Sequence, residues 1–234
     1  IMKKIIFSFL LIAGFSFQSI NAAGYIALYS LEVADQNAYA ADMDELMSSD
    51  WGQAFPGTVT LAHYTFNGYD DATHAVVINY ENEADMAKGT DSFYEPAFGA
   101  FLAKTASNVQ GVEQSLNRKL ISGGENNPDN NKVYTLFRMQ VKDPASYAKA
   151  YMKVTEAQQE SGNMDGAYGL RAQIAGSQNY YTHYAFIGAS SMQSAIEGME
   201  TLYSSDSFAV FQKEIGDNRK LMNTSMIKVL KVYN

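Results

Sequence analysis

Val33-Ala34-Asp35-Gln36-Asn37-Ala38-Tyr39-Ala40 returns, 108 residues further along the chain, as Val141-Lys142-Asp143-Pro144-Ala145-Ser146-Tyr147-Ala148. Working outward, Ala72-Thr73-His74-Ala75 aligns with Tyr181-Thr182-His183-Tyr184 at an offset of 109, and Phe98-Gly99-Ala100-Phe101 with Phe208-Ala209-Val210-Phe211 at 110. Chance supplies one such match easily. Three in the same order, drifting by one residue each time, are what a duplicated unit leaves behind. Between the copies, Ser122-Gly123-Gly124-Glu125-Asn126-Asn127-Pro128-Asp129-Asn130-Asn131 is a run of turn formers and reads as a linker. The expected organisation is a first repeat over 24–122, a linker over 123–131 and a second repeat over 132–234.

Each copy reads β-α-β-β-α-β. Tyr25 to Val33 and Val133 to Val141 are apolar, aromatic and of strand length. Asp35 can cap a helix to about Ser48, with Tyr39, Met43, Leu46 and Met47 on one face. Asp143-Pro144 is a stronger start, an N-cap followed by proline at the first helical position. Thr58 to Phe66 and Thr73 to Tyr80 form a strand pair, matched by Ala167 to Ile174 and Tyr180 to Ile187, the latter joined around Gly176-Ser177-Gln178. Helical regions follow from Glu83 to Ala106, with breaks expected near Gly89 and Pro96, and from Ser191 to Gly216, with a break near Ser204-Ser205-Asp206. Val112 to Ile121 and Met222 to Tyr233 close the copies. That order is α+β and ferredoxin-like, with helices on one face of a four-stranded antiparallel sheet. The other face is bare in one copy; two copies in one chain can cover it by packing into a pseudo-twofold α+β barrel.

At this level the chain resembles the dimeric α+β barrel superfamily in tandem-duplicated form. That group includes cofactor-independent monooxygenases, EthD-like and NIPSNAP-like proteins, and haem-binding chlorite-dismutase-like proteins. The resemblance covers everything after the leader and rests on topology and duplication. It implies a small-molecule ligand in the space between the two repeats, or a monooxygenase-like activity there. Haem, with His183 as axial ligand, is the alternative it offers to a chain with no cofactor.

The leader itself reads as a signal peptide over residues 1–23. Lys3 and Lys4 precede an apolar run from Ile5 to Phe17, and Gln18-Ser19-Ile20-Asn21-Ala22-Ala23 ends in small residues, so cleavage is expected after Ala22. The run is shorter than the roughly 20 residues that span a bilayer. Removing the two leader lysines takes the formal charge from -8 to -10. An acidic exported chain is poorly suited to nucleic acid, which demands clustered cations. With no cysteine, disulfides, thiolate nucleophiles and Cys-held metals are impossible. A bacterial periplasmic or secreted protein is expected, off the membrane once processed, and a monomer or weak homo-oligomer.

Few residues suggest chemistry. His74 and His183 hold the same place in the two copies and could be paired general bases or ligands in a shared cavity; equally, Thr-His could be an inherited strand feature with its imidazole hydrogen-bonded near a sheet end. No His-x-x-x-His or His-carboxylate pair suggests a zinc site. Arg138 shares a strand face with Tyr134, Leu136 and Gln140, and Arg171 lies mid-strand, so together they could hold an anion. The copies differ here, since Ser30 stands where the second has Arg138. His63 and Tyr64 on the second strand, and Trp51 after the first helix, complete the candidate ligand contacts, Trp51 either closing a cavity mouth or plugging the core. With 16 Tyr, 13 Phe and one Trp, an apolar or aromatic ligand is a natural guest, although aromatics are also ordinary strand formers. A barrel filled by side chains, acting only through its surface, is the third reading. No Gly-x-Gly-x-x-Gly, phosphate loop, Gly-x-Ser-x-Gly or EF-hand pattern occurs.

Overall fold

The structure, a computed structural model, describes residues 24–125, 127–164, 166–176 and 180–234. The proposed leader and the Ser177-Gln178 turn lie outside these. Eight strands are described: β1 (Tyr25–Val33), β2 (Thr58–Phe66), β3 (His74–Tyr80), β4 (Val109–Gly123), β5 (Val133–Val141), β6 (Tyr168–Ala175), β7 (His183–Ala189) and β8 (Arg219–Tyr233). The helices are α1 (Gln36–Ser48), α2 (Asp50–Ala54), α3 (Glu83–Ser92), α4 (Pro96–Thr105), α5 (Pro144–Glu160), α6 (Met192–Ser204) and α7 (Asp206–Ile215).

The fold is α+β, and every strand pair is antiparallel. The strands close a ring in the order β1-β3-β2-β8-β5-β7-β6-β4. β1–β4 lie as 4-1-3-2 and β5–β8 as 8-5-7-6, and the two arcs are joined by β2 to β8 and by β4 to β6. The long last strands perform this exchange: β8 pairs with both β5 and β2, and β4 with both β1 and β6. Instead of two sheets stacked face to face, the chain makes one closed barrel with helices outside.

Local chemistry repeats with the sequence. The Asp35 carboxylate accepts from the Asn37 and Ala38 amides, both at 3.0 Å, and Asp143 accepts from Ala145 and Ser146 at 3.1 and 3.2 Å. Asn108 and Asn218, just ahead of β4 and β8, clip to these caps with their side-chain amides, each accepting from the main-chain N–H and donating to the carbonyl of Asp35 or Asp143. Such caps contribute on the order of 1 kcal/mol each.

Two details depart from the sequence reading. Gly89 does not break its helix. α3 runs through it, and the glycine serves close packing, since an added Cβ would lie 2.6 Å from the Tyr80 ring. Trp51 sits in a helix of its own, α2, rather than in a loop; Ser49 caps it, accepting from the Gly52 amide at 3.4 Å.

Strand alternation divides the core in two. Outward-facing Val59, Leu61, Val76 and Ile78 pack under α1 in the first half, and Met139, Leu170 and Ala185 under α5 and α7 in the second. Inward-facing Leu28, Ala62, Tyr64, Ala75, Leu136, Tyr184 and Ile227 form a third cluster within the ring.

Candidate functional site

The barrel interior, where the sequence reading looked for a ligand, is occupied by side chains. Arg138 is 1% exposed and lies inside with Tyr134 and Leu136, as its strand face required. Its Nη2 donates to the Tyr64 hydroxyl at 2.9 Å and lies 3.7 Å from the Glu113 carboxylate. Ser30, the counterpart of Arg138 in the first copy, meets the same Tyr64 hydroxyl at 3.0 Å. Tyr181 packs under the guanidinium, which lies 5.7 Å from its ring centre. Desolvation works against the charge on Arg138, but Tyr64 and Glu113 outweigh it and hold the group firmly protonated.

Arg171 also turns inward, but to different partners. One guanidinium nitrogen donates to the Ile121 carbonyl and, at 3.1 Å, to that of Leu170, while the Phe186 ring lies 4.9 Å below the cation. Burial pulls its pKa down. Register sets Arg138 and Arg171 on opposite sides of Tyr184, each paired to it across one strand. Arg138 is compensated by a carboxylate and Arg171 by carbonyl oxygens.

The histidines do not converge. β3 and β7 stand four places apart in an eight-strand ring, and both imidazoles lie on its outer side. His74 is registered opposite Leu31, and His183 opposite Met139, both residues of the helix-packed face. Each makes the same local motif. The threonine before it accepts from a β-strand amide, Val33 to Thr73 at 2.9 Å and Val141 to Thr182 at 3.0 Å, and its hydroxyl lies 2.9 Å from the imidazole Nδ1. Burial, helped by His63, whose ring lies edge-on at 5.1 Å, lowers the His74 pKa to about 4. Burial lowers that of His183 too. Both are buried, strand-anchored imidazoles whose charged forms burial disfavours.

The two halves part company between sheet and helices. In the first, Trp51 fills this space: it stacks on Phe55 at 5.0 Å and on Phe98 at 5.4 Å, with Phe93 beyond, and donates its indole N–H to the Ser92 carbonyl at 3.1 Å. Trp51 is therefore a plug. In the second half α5 continues unbroken to Glu160, leaving no counterpart of α2 and no tryptophan. A cleft remains there, with two neighbouring parts that share Gln158, Met164, Ile187 and Leu202 in their linings. An inner chamber of about 70 Å³ runs along α5 past Tyr147, Tyr151, Val154 and Thr155, over Met139 and Ala185. An outer vestibule of about 440 Å³ opens toward Ser190, Ser194 and Asn163. Gln158 lines both, tied to the α6–α7 junction by bonds to the Ser205 and Ser207 hydroxyls at 3.0 and 2.7 Å. Arg219 lines the chamber's other end, its cation 5.5 Å from the Phe211 ring centre.

Sequence reasoning missed this cleft because its residues look like ordinary core. The available signal was a difference between copies: Met47 becomes Thr155, Trp51 becomes Gln159, and Val109 becomes Arg219 at the offsets of the repeat.

No family model and no curated protein matches the chain. Solved structures do, at the level of fold. A candidate monooxygenase from Fusobacterium nucleatum superposes with a TM-score of 0.60 at 16% identity, covering 91% of this chain and 95% of that one. Another from Lactobacillus acidophilus gives 0.59 at 14%, covering 91% and 96%. A haem-binding protein from Thermus thermophilus gives 0.55 at 8%, covering 89% and 92%. The chain has the fold of the dimeric α+β barrel proteins.

Proposed function

We propose that this is an exported small-molecule-binding protein, made of two tandem ferredoxin-like units, whose ligand occupies the cleft between α5, α6 and the sheet of the second half. One observation carries this reading: the second half leaves open what the first fills with Trp51 and its phenylalanines. The vestibule falls within the few hundred to 1,000 Å³ of small-molecule sites, which combine apolar walls with a few polar groups. Arg138, Arg171, His63, Tyr64 and Trp51 then serve the architecture, and the ligand contacts move to α5 and its neighbours.

Binding is favoured over acid–base catalysis by the chemistry of the lining. A general base works best with a pKa near the working pH. The chamber offers Tyr147 and Tyr151, both pushed upward chiefly by burial. Among the described residues the vestibule offers one carboxylate, Glu125, which accepts from the Asn130 side-chain amide at 2.9 Å. Haem needs an axial ligand and an apolar pocket. The cleft lining holds no histidine, His183 turns its Nδ1 to Thr182, and the chamber is far too small for a macrocycle. The residues lining the cleft do not fit that group.

The test uses the processed protein and the neutral fluorophore N-phenyl-1-naphthylamine. Saturable binding by the wild type, lost in Ala185→Phe, which fills the chamber, supports the cleft. Undiminished binding by a folded Ala185→Phe overturns it. Amino-terminal sequencing of protein from the culture medium or periplasm should begin at Ala23; a retained leader would refute export.

A further inference from the structure

Arg219 stands in the chamber wall at the start of β8, registered against Val141 on the helix-packed face. Its equivalent in the first copy is Val109, which packs into the apolar core there. A cation has thus been set into a lining that is mostly aromatic and aliphatic, with Thr155 and Gln158 as its other polar side chains besides the tyrosine hydroxyls. Among the described residues no carboxylate lies within ion-pair distance of it, and the two acidic residues flanking β8 are engaged elsewhere: Glu214 with Lys153 and Asp217 with Lys142, each at 2.5 Å. Its neighbours are the Phe211 ring and the Tyr147 hydroxyl. An arginine with unspent donors beside an apolar space is built to receive an oxyanion.

The shape of the space narrows the ligand further. The residues Tyr147, Tyr151, Val154, Thr155 and Gln158 lie along one face of α5, and a helix rises about 1.5 Å per residue, so the chamber runs roughly 16 Å from Arg219 to the vestibule. A volume of only about 70 Å³ over that length is slim. It suits an extended chain better than a fused ring system. The walls are Phe137, Met139, Val154, Leu202 and Phe211, all apolar. Methionine and leucine walls adapt readily to a flexible chain.

We infer that the ligand of this cleft is an unbranched amphipathic carboxylate, its hydrocarbon body along α5 and its carboxylate on Arg219. This rests on the cleft being the binding site and goes beyond it by naming the chemical class and the group that reads it. The probes are decanoate and decan-1-ol, which share a chain and differ in the charged end. Titration calorimetry of wild type should show decanoate bound about tenfold more tightly than the alcohol, the scale of one partly solvated charge-assisted pair. Arg219→Gln should bring decanoate down to the alcohol's affinity and leave the alcohol unchanged, and Arg219→Lys should recover part of the difference. Equal affinity for the two probes, or a decanoate affinity untouched by Arg219→Gln, overturns the assignment while naphthylamine binding keeps the cleft intact. If neither decanoate nor the alcohol binds but the naphthylamine does, the chain-shaped ligand is wrong. If the naphthylamine also fails, the cleft itself is wrong.

Discussion

Acidification from pH 7 to pH 5 should cost this protein about 2 kcal/mol through His74 alone. The imidazole is 2% exposed, its Nδ1 faces the Thr73 hydroxyl, and its Nε2 is buried without a partner. Burial first, and His63 second, hold its pKa at about 4 in the folded chain, against 6.5 when free. Between those values the unfolded chain takes up a proton that the folded chain refuses. Stability therefore rises with pH across the window and is lost as pH falls from about 6.5 toward 4. The full loss is about 3 kcal/mol at 1.36 kcal/mol per pKa unit, and roughly 2 kcal/mol of it falls between pH 7 and 5. His183, depressed by burial, adds to it in the same direction. The assay is urea unfolding followed by circular dichroism at both pH values, for wild type and His74→Leu. Leucine fills similar space, removes the unpartnered nitrogen, and leaves Thr73 within 3.4 Å of the Leu31 carbonyl. At pH 7 the variant should lie within about 1 kcal/mol of wild type. At pH 5 it should be the more stable, with a urea midpoint higher by about 1 M. Carboxylates common to both proteins cancel in the comparison. Parallel loss of stability in the two proteins would refute a neutral, buried His74.

Three further outcomes follow from the packing. Glu113→Gln removes the carboxylate beside Arg138 and should destabilise by about 3 kcal/mol, because a buried cation then lacks its counter-charge; denaturant unfolding reads it, and a change below 1 kcal/mol would mean the pair is solvated. Trp51→Ala should cost about 3 kcal/mol and raise the stoichiometry of naphthylamine binding from one site to two, by unplugging the first half. Gly89→Ala should lower stability by about 2 kcal/mol despite alanine's better helix propensity, since its methyl meets the Tyr80 ring, and a thermal melt that rises instead would contradict the close packing.

Much of the barrel was legible because its determinants are local. Asp35 and Asp143 announce caps, period-two apolar runs announce strands, and the recurrence of Tyr39 as Tyr147 sets the copies in register. Even the inward turn of Arg138 could be read from its strand neighbours. The barrel was expected, but the exchange of last strands that closes it was not, because the pairing of β2 with β8 and of β4 with β6 joins strands far apart in the chain. For the histidines two readings stood open, paired groups in a cavity or an inherited strand feature, and the structure matches the second. Identical positions in two copies suggested convergence, but a twofold relation in a ring sets equivalent residues on opposite sides. The cleft was invisible because cavities are made by what is missing. Only the loss of a tryptophan and the gain of an arginine between copies marked it.

The handover of β8 to the first half also fixes the order in which the molecule can finish. Val59 waits for Tyr233 and Leu61 for Lys231, both on β8. A nascent amino-terminal half therefore leaves one flank of β2 without its strand partner until β8 has emerged. Loss of β8 beyond Lys228 should consequently damage the opposite half first, baring the start of β2, more than 160 positions away.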